Sequence, residues 1–273
     1  MATYLKRKSA LIKRKRKFYR KKLFCYRFCI VCKLLVFVSA FFVMIIFLRN
    51  IFSLKEAVVE SDVSFYKTED FLSAGNIQKG RSIFFCNEKN IREDIEKKLP
   101  FAEVTYIKKK FPNKLLIKIN KISGFAAFKS EEGFVVTNAS LKVLEVIPEI
   151  ESSLILIDGV HLKNYSPGNF LSLENEQQKA VLFDLLKFLS KNSLNSVTKI
   201  NLEDFENIKM VYENRILVKF GSKKDLEDKV KTMAHILKEK IKNDETGELD
   251  LSSYRDNGKV YFLPNEQKKE SNS

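Results

Sequence analysis

The sequence predicts an α+β protein in which one N-terminal transmembrane helix precedes a small α/β module and a larger β-rich domain with two helices. A basic segment without acids runs into a long apolar stretch near the N-terminus. Short strands and helices then alternate, and a series of short apolar runs follows, interrupted by two amphipathic helices. The predicted segments are a basic cytoplasmic tail (1–27), the span (28–48), the module (57–123), the β-rich domain (124–263) and a disordered polar tail (264–273).

The apolar stretch is long enough to cross a bilayer. Residues 34–48 contain no charged side chain, and including residues 28–33 gives a helix about 31 Å long. Residues 1–27 carry twelve Lys or Arg and no acid, and the first acidic residue is Glu56. Because positive charge beside a span stays in the cytoplasm, we expect a cytoplasmic N-terminus and about 225 residues outside. A cleavable signal peptide is the competing interpretation, but no small-residue cleavage site follows Leu48.

The distribution of charge argues against a nucleic-acid partner. The net charge is +15, and fourteen Lys or Arg without any acid lie in residues 1–49. Residues 50–273 hold 35 Lys or Arg against 34 Asp or Glu. The portion beyond the span is therefore nearly neutral and offers no basic groove for DNA or RNA.

Cysteine and histidine usage argues against catalysis and metal binding. Three cysteines lie at or within the start of the span: Cys25, Cys29 and Cys32. Small apolar residues of a membrane helix explain them most simply, while acylation sites and metal ligands remain alternatives. One further cysteine, Cys86, cannot form an intrachain disulfide there by itself. The only histidines, His161 and His235, lie in no catalytic or zinc-binding motif, so we expect no enzyme activity, cofactor, metal or small-molecule substrate.

The module reads as a weak strand, two helices and two strands. The predicted bounds are 57–65 and 68–75, then 87–99, then 102–108 and 115–122. Asn87 is placed to cap the second helix, in which Ile91 and Ile95 share one face, and Pro100 ends it. This order resembles a POTRA domain, the polypeptide-transport-associated module found beside many bacterial membrane spans.

The β-rich domain reads as short strands separated by turns. The predicted strands are 125–128, 134–136, 142–146, 154–157, 197–202, 208–212, 216–220 and 260–263, with helices at 174–192 and around 226–241. We expect the early strands to form a meander. Pro264 is expected to end the last strand.

The late part of the chain resembles the ending of the FtsQ/DivIB bacterial cell-division proteins. The matching residues are Gly221, Leu226, Lys229, Leu237, Gly247, Asp250 and Leu251. An earlier stretch is similar to that family's POTRA signature, with matches at Leu99, Pro100, Val104, Pro112, Leu115 and Ile117. Together with the anchor, the resemblance covers nearly the whole chain in the family's order.

The resemblance implies a non-enzymatic divisome scaffold of the bacterial cytoplasmic membrane, located at the septum. It would bind FtsB/DivIC-like and FtsL-like single-pass proteins and link them to septal peptidoglycan synthesis. The last strand is the candidate contact surface, because an edge strand can accept an incoming strand through main-chain hydrogen bonds. The candidate partner-binding residues are Lys229, Lys259, Val260, Tyr261, Phe262 and Leu263.

Other interpretations of the function and of the last strand remain open at this point. A POTRA-bearing chaperone or receptor for exported polypeptides would bind many unfolded chains instead of a defined pair. An edge kept closed by Pro264 and the polar tail would offer no docking site. An anchored cell-wall enzyme is a further alternative, although no catalytic constellation supports it.

Overall fold

The structure is a computed structural model, and it describes Ile30 and residues 32–204, 206–254 and 259–265. The predicted basic tail, Cys25, Cys29 and most of the predicted polar tail lie outside the described residues. The chain divides into two compact units. The first comprises the described residues up to Ala57 with Gln78–Cys86 and Lys109–Leu115, and the second comprises the remainder.

The N-terminal helix α1 covers Cys32–Ile51. Among the helices that the structure describes, it alone is long and apolar enough to cross a bilayer, and none of it is buried against protein. It continues three residues beyond the predicted end at Leu48, since the backbone N–H of Phe52 still donates to the Leu48 carbonyl at 3.0 Å. Arg49 can remain helical there because its long side chain can carry the charge out of the hydrocarbon.

The small module contains the two helices and three strands that the sequence predicted. Their bounds are β1 (Glu56–Ser61), α2 (Thr68–Ala74), α3 (Glu88–Lys98), β2 (Ala102–Lys110) and β3 (Lys114–Lys121), with a 3₁₀ turn at Ile83–Phe85. The sheet order is β1-β3-β2. Asn87 caps α3 as predicted. The N-cap of α2 is Lys67, whose backbone N–H donates to the Asp70 carboxylate at 2.7 Å.

The described residues of the β-rich domain form eleven strands and two helices. The first strands are β4 (Ala126–Ser130), β5 (Gly133–Thr137), β6 (Val143–Ile147), β7 (Ile155–Asp158), β8 (Leu162–Asn164) and β9 (Ser172–Leu173). Then follow α4 (Glu176–Lys191), β10 (Val197–Asn201), β11 (Ile208–Tyr212), β12 (Ile216–Gly221), α5 (Leu226–Glu239), β13 (Gly247–Asp250) and β14 (Tyr261–Pro264). Nine of the strands form one sheet in the order β14-β13-β12-β11-β10-β7-β4-β5-β6.

The expected meander is only partly present. Strands β4, β5 and β6 do follow one another as antiparallel neighbours, but β7 returns to pair in parallel with β4 instead of continuing beyond β6. Strand β10 then pairs in parallel with the other side of β7. The short strands β8 and β9 form a separate pair, which the sequence analysis missed because runs of two or three residues carry almost no periodicity.

One hydrophobic core lies between the large sheet and the two helices. Helix α4 contributes Val181, Leu182, Leu185, Leu186 and Leu189, which share one face and are all buried. Helix α5 contacts α4 and adds Val230, Met233 and Leu237 to the same core. Because both helices cover the sheet from its core side, the side chains that alternate onto its other face can remain exposed.

Candidate partner-binding edge

Strand β14 forms one edge of the nine-stranded sheet. It pairs antiparallel with β13, with Phe262 opposite Leu249 and Leu263 opposite Glu248. Of the described strands, only β13 pairs with it. We call the other side of β14 the open edge, defined by residues 260–264.

The hydrogen-bond pattern shows which backbone groups point outward at the open edge. The Asn265 N–H donates to the Thr246 carbonyl at 3.0 Å, so Asn265 and every second residue before it face β13. The N–H and C=O of Phe262 therefore point away from the sheet, as does the C=O of Pro264. Pro264 is the last residue of the strand and does not stand beyond it; because its missing N–H falls on the outward side, it costs no ladder bond.

The geometry limits how far another strand can pair there. A strand docked on the open edge could exchange both main-chain hydrogen bonds with Phe262, but at Pro264 it would find an acceptor and no donor. Pairing is therefore favourable before Pro264 and incomplete at it. A proline at this place also discourages unrestricted edge-to-edge association.

The side chains of β14 alternate between core and solvent. Val260 and Phe262 pack against the main core. Tyr261 and Leu263 are 48% and 47% exposed on the opposite face, where Leu217 of β12 is 38% exposed. Leu217, Glu248 and Leu263 lie side by side across three strands. Exposed apolar side chains therefore flank Glu248 beside the open edge, and we call Leu217, Tyr261 and Leu263 the apolar strip.

An ion pair lies within that strip. The Lys219 ammonium contacts the carboxylate of Glu248, which is buried although it lies on β13 next to the edge. The hydrogen bond to Glu248 raises the pKa of Lys219 above its usual value, with burial opposing the shift. The pair satisfies a carboxylate that would otherwise be costly to bury.

Gly247 allows β14 to approach β13 closely. A Cβ atom at this position would overlap the backbone carbonyl of Leu263 and lie 3.0 Å from the Phe262 ring. Arg215 holds the segment that leads into β13, since its guanidinium donates to the Lys242 carbonyl at 3.1 Å and to the Glu245 carbonyl. The resemblance singled out Gly247, but nothing in the sequence pointed to Arg215.

Lys229, one of the predicted partner-binding residues, lies behind the open edge and does not present its charge there. It is only 1% exposed, and its ammonium donates to the carbonyls of Phe220 and Ser222, both at 3.1 Å. The same ammonium lies 5.3 Å from the centre of the Phe220 ring. Lys229 therefore joins α5 to the end of β12, while Lys259 is exposed ahead of β14.

The comparisons with known proteins agree with this architecture. The family described as POTRA domain, FtsQ-type matches residues 52–121. A Clostridium botulinum (strain Hall) protein named cell division protein DivIB is 28% identical over 254 residues, which cover 92% of this chain and 94% of the relative. The DivIB of Clostridium tetani is 26% identical over 210 residues, 76% of this chain and 78% of that protein. The chain carries an FtsQ-type POTRA domain and is similar to DivIB proteins over most of its length.

The FtsQ-type POTRA domain and the similarity to DivIB proteins support a cell-division protein, and its described part contains one helix able to span a membrane. The small module is its POTRA domain, and the matched range extends from the end of α1 through β3. The sequence placed Val260, Tyr261, Phe262 and Leu263 together, and the structure brings Leu217, Glu248 and Gly247 beside them. Leu217 and Glu248 were missed because the β12–β13 pairing joins distant parts of the chain, whereas the resemblance had already marked Gly247.

The side chains and main-chain groups of the described residues indicate which kind of ligand the open edge can bind. Among them, no group of three His, Cys, Asp or Glu side chains is placed to hold a metal ion. His161 is exposed, and His235 lies 3.4 Å from Glu239 on the exposed side of α5. The edge offers main-chain hydrogen bonds and apolar contact, which suit the binding of another polypeptide.

Proposed function

We propose that this chain is a non-enzymatic scaffold of the divisome whose open edge receives a strand from FtsB/DivIC-like and FtsL-like division proteins. The N-terminus lies in the cytoplasm, the POTRA and β-rich domains lie outside the cytoplasmic membrane, and the protein acts at the septum. Through its partners it is linked to septal peptidoglycan synthesis. The basic, acid-free residues 1–27 support this orientation.

The observation that carries the proposal is the outward direction of the Phe262 main-chain groups on a strand with only one described neighbour. Strand addition at such an edge gives affinity through the backbone and specificity through alternate side chains. Tyr261 and Leu263 supply exposed side chains of suitable kind, with Leu217 beside them. Lys229 contributes by supporting α5 and β12 behind the edge.

A charge placed on the apolar strip tests the proposal. Leu263→Glu should weaken recovery of the FtsB/DivIC-like and FtsL-like proteins from detergent extracts by about tenfold or more, because a carboxylate would be buried on binding. Val58→Glu is the matched control, since Val58 is an exposed apolar strand residue of β1. Equal recovery with both variants would contradict the assignment of the interface.

A pair of deletions separates the strand from the tail. Removing residues 260–273 should abolish recovery of the partner pair and leave membrane insertion intact, whereas removing residues 266–273 should retain recovery. Loss of recovery with the shorter deletion would move the interface into the tail. Capture of many unfolded polypeptides in place of the defined pair would favour the alternative function, a POTRA-bearing chaperone or receptor for exported chains.

A further inference from the structure

The positive charge of residues 50–273 is concentrated in the unit that contains the span. Residues 50–57, 78–86 and 109–115 hold six Lys or Arg and a single acid, Glu56. The remainder of residues 50–273 holds 29 Lys or Arg against 33 Asp or Glu. A net charge of +5 therefore lies in 24 residues, although residues 50–273 together carry only +1.

The same unit carries exposed aromatic side chains. The Phe52 ring centre lies 5.0 Å from that of Phe84 and 6.4 Å from that of Phe111, and the Phe84 and Phe111 centres are 5.5 Å apart. Phe84 and Phe111 are nonetheless exposed, and Phe85 is 72% exposed. We call Phe52, Phe84, Phe85 and Phe111 the aromatic patch. Clustered rings left open to solvent indicate a surface that is covered in the working protein.

Backbone hydrogen bonds fix the patch to the end of the span. The Ile83 N–H donates to the Phe52 carbonyl at 2.9 Å, and the Leu54 N–H donates to the Arg81 carbonyl at 2.8 Å. Ser53 and Ser82 add an antiparallel bridge. Since Phe52 directly follows α1, the turn that carries Phe84 and Phe85 is held at the level where the helix leaves the membrane.

A groove of about 690 Å³ joins the span to the patch. Its lining includes Ile45, Leu48 and Arg49 of α1 on one side, and Arg81, Phe84 and Phe85 on the other. Ile45 and Leu48 belong to the apolar span, so the groove opens at the depth of the lipid. Segments that lie in a membrane–water interface typically bury Phe, Leu or Trp side chains at the headgroup–acyl boundary and carry Lys and Arg beside them.

We propose that the aromatic patch is a lipid-binding surface that inserts into the interface of the bilayer that α1 spans. Its rings lie at the boundary between headgroups and acyl chains, and Arg49, Arg81, Lys109 and Lys110 contact the phosphates of anionic phospholipids. This surface orients the base of the POTRA domain against the membrane, in addition to the tether that α1 provides. It is separate from the open edge, and it does not depend on which proteins bind there.

The absence of tryptophan from the chain allows a direct test. Phe85→Trp introduces a single tryptophan at an exposed position, which can be excited selectively over the nine tyrosines. Phe170→Trp is the matched control, because Phe170 is 66% exposed in the β-rich domain. Each full-length variant is reconstituted into vesicles of phosphatidylcholine and phosphatidylglycerol, with and without bromine on the acyl chains. The Phe85→Trp variant should emit at shorter wavelength than the control and lose intensity with brominated lipid, whereas the control should do neither.

Three outcomes would overturn the proposal or part of it. Emission and quenching equal to those of the Phe170→Trp control would show that the patch remains in water. Emission shifted to shorter wavelength without quenching by brominated lipid would show that a second copy of the chain covers the patch. Adding Lys109→Glu and Lys110→Glu to the Phe85→Trp variant should reduce quenching, and unchanged quenching would overturn the role of these lysines with anionic headgroups.

Discussion

The two edges of the nine-stranded sheet differ in whether other described residues of the chain cover them. At β6 the Val143 N–H donates to the Asn169 carbonyl at 2.8 Å, and the Val143 carbonyl accepts from the Gly168 N–H at 2.9 Å. The outward groups at the start of β6 are therefore satisfied internally, and we call this side the closed edge. At β14 the corresponding groups of Phe262 point outward. The contrast is consistent with the proposal that β14 receives a partner, while the start of β6 is protected from adventitious pairing.

The closed edge is also tied to the POTRA domain. Lys142, directly before β6, is buried and its ammonium donates to the Ala102 carbonyl of β2 at 3.2 Å. Burial lowers the pKa of Lys142, and the nearby carboxylates of Glu96 and Glu103 oppose that shift. Gly168 lies so close to α3 that a Cβ would overlap the Lys97 carbonyl. Gly168 therefore both donates a hydrogen bond to β6 and packs closely against α3.

The largest expected effect comes from opening the closed edge. Gly168→Ala should lower the free energy of unfolding by about 3 kcal/mol more than Gly80→Ala, because its methyl group would displace backbone. The control has nearly the same conformation, with φ +87° at Gly80 against +85° at Gly168, but nothing lies within 4 Å of its Cβ position. Denaturant unfolding measures the difference, and faster hydrogen exchange at Val143 should accompany it. Equal losses for the two variants would contradict the role of Gly168 as cover.

The next largest change in the free energy of unfolding is expected at Lys229, which supports the strands behind the open edge. Lys229→Met should lower the free energy of unfolding by about 2–3 kcal/mol, since it leaves two buried carbonyls without their donor. Lys238→Met is the control on the exposed side of the same helix. Hydrogen exchange should increase in β12 to β14. If partner recovery fell while unfolding and exchange stayed unchanged, Lys229 would have to contact the partner directly.

A smaller and more local effect is expected where β13 meets β14. Gly247→Val should displace β14 and cost about 1–2 kcal/mol, because its side chain would overlap the Leu263 carbonyl. Lys209→Val introduces the same side chain at an exposed position of β11 and serves as the control. Amide exchange at Tyr261, Phe262 and Leu263 is the measurement. Protection that persists with Gly247→Val would mean that β14 can dock without close approach.

The smallest change in the free energy of unfolding is expected at the ion pair between Lys219 and Glu248, which lies within the apolar strip. Lys219→Gln should cost at most about 1 kcal/mol, because the ammonium is partly exposed and glutamine keeps a donor for Glu248. The folded-state pKa of Lys219 is raised, so its contribution is fully present below the ordinary lysine pKa of 10.5. It is lost as pH rises through the folded-state value. Unfolding measured from about pH 7 to about pH 11 should therefore show a constant difference that shrinks only at the alkaline end.

Local patterns in the sequence were sufficient for many elements. The alternation of apolar residues located β11 at residues 208–212 as the structure has it, and Asn87 marked the start of α3. The last strand was placed within one residue, although Pro264 belongs to it. These features depend on neighbours along the chain, which periodicity and capping rules describe well.

The features of the fold and of the candidate site that were not predicted depend on contacts between residues that are distant in the sequence. The cover of Val143 by Gly168 and Asn169 could not be predicted, because an edge strand and a covered strand have the same alternation. Lys229 was predicted as a partner-binding residue, and the sequence did not indicate that its ammonium donates to the carbonyls at the end of β12. The apolar strip likewise exists only through the pairing of β12 with β13 and β14.

Photocrosslinking at the two edges of the sheet directly tests the proposal that a partner binds at β14. A photoreactive residue replaces Leu263 at the open edge or Glu145, an exposed residue of β6, at the closed edge in dividing cells. If partners bind at the open edge, we expect discrete adducts with small single-span division proteins from position 263 and none from position 145. Adducts of equal yield from both positions, or from position 145 alone, would contradict the assignment of β14 as the edge that receives a partner.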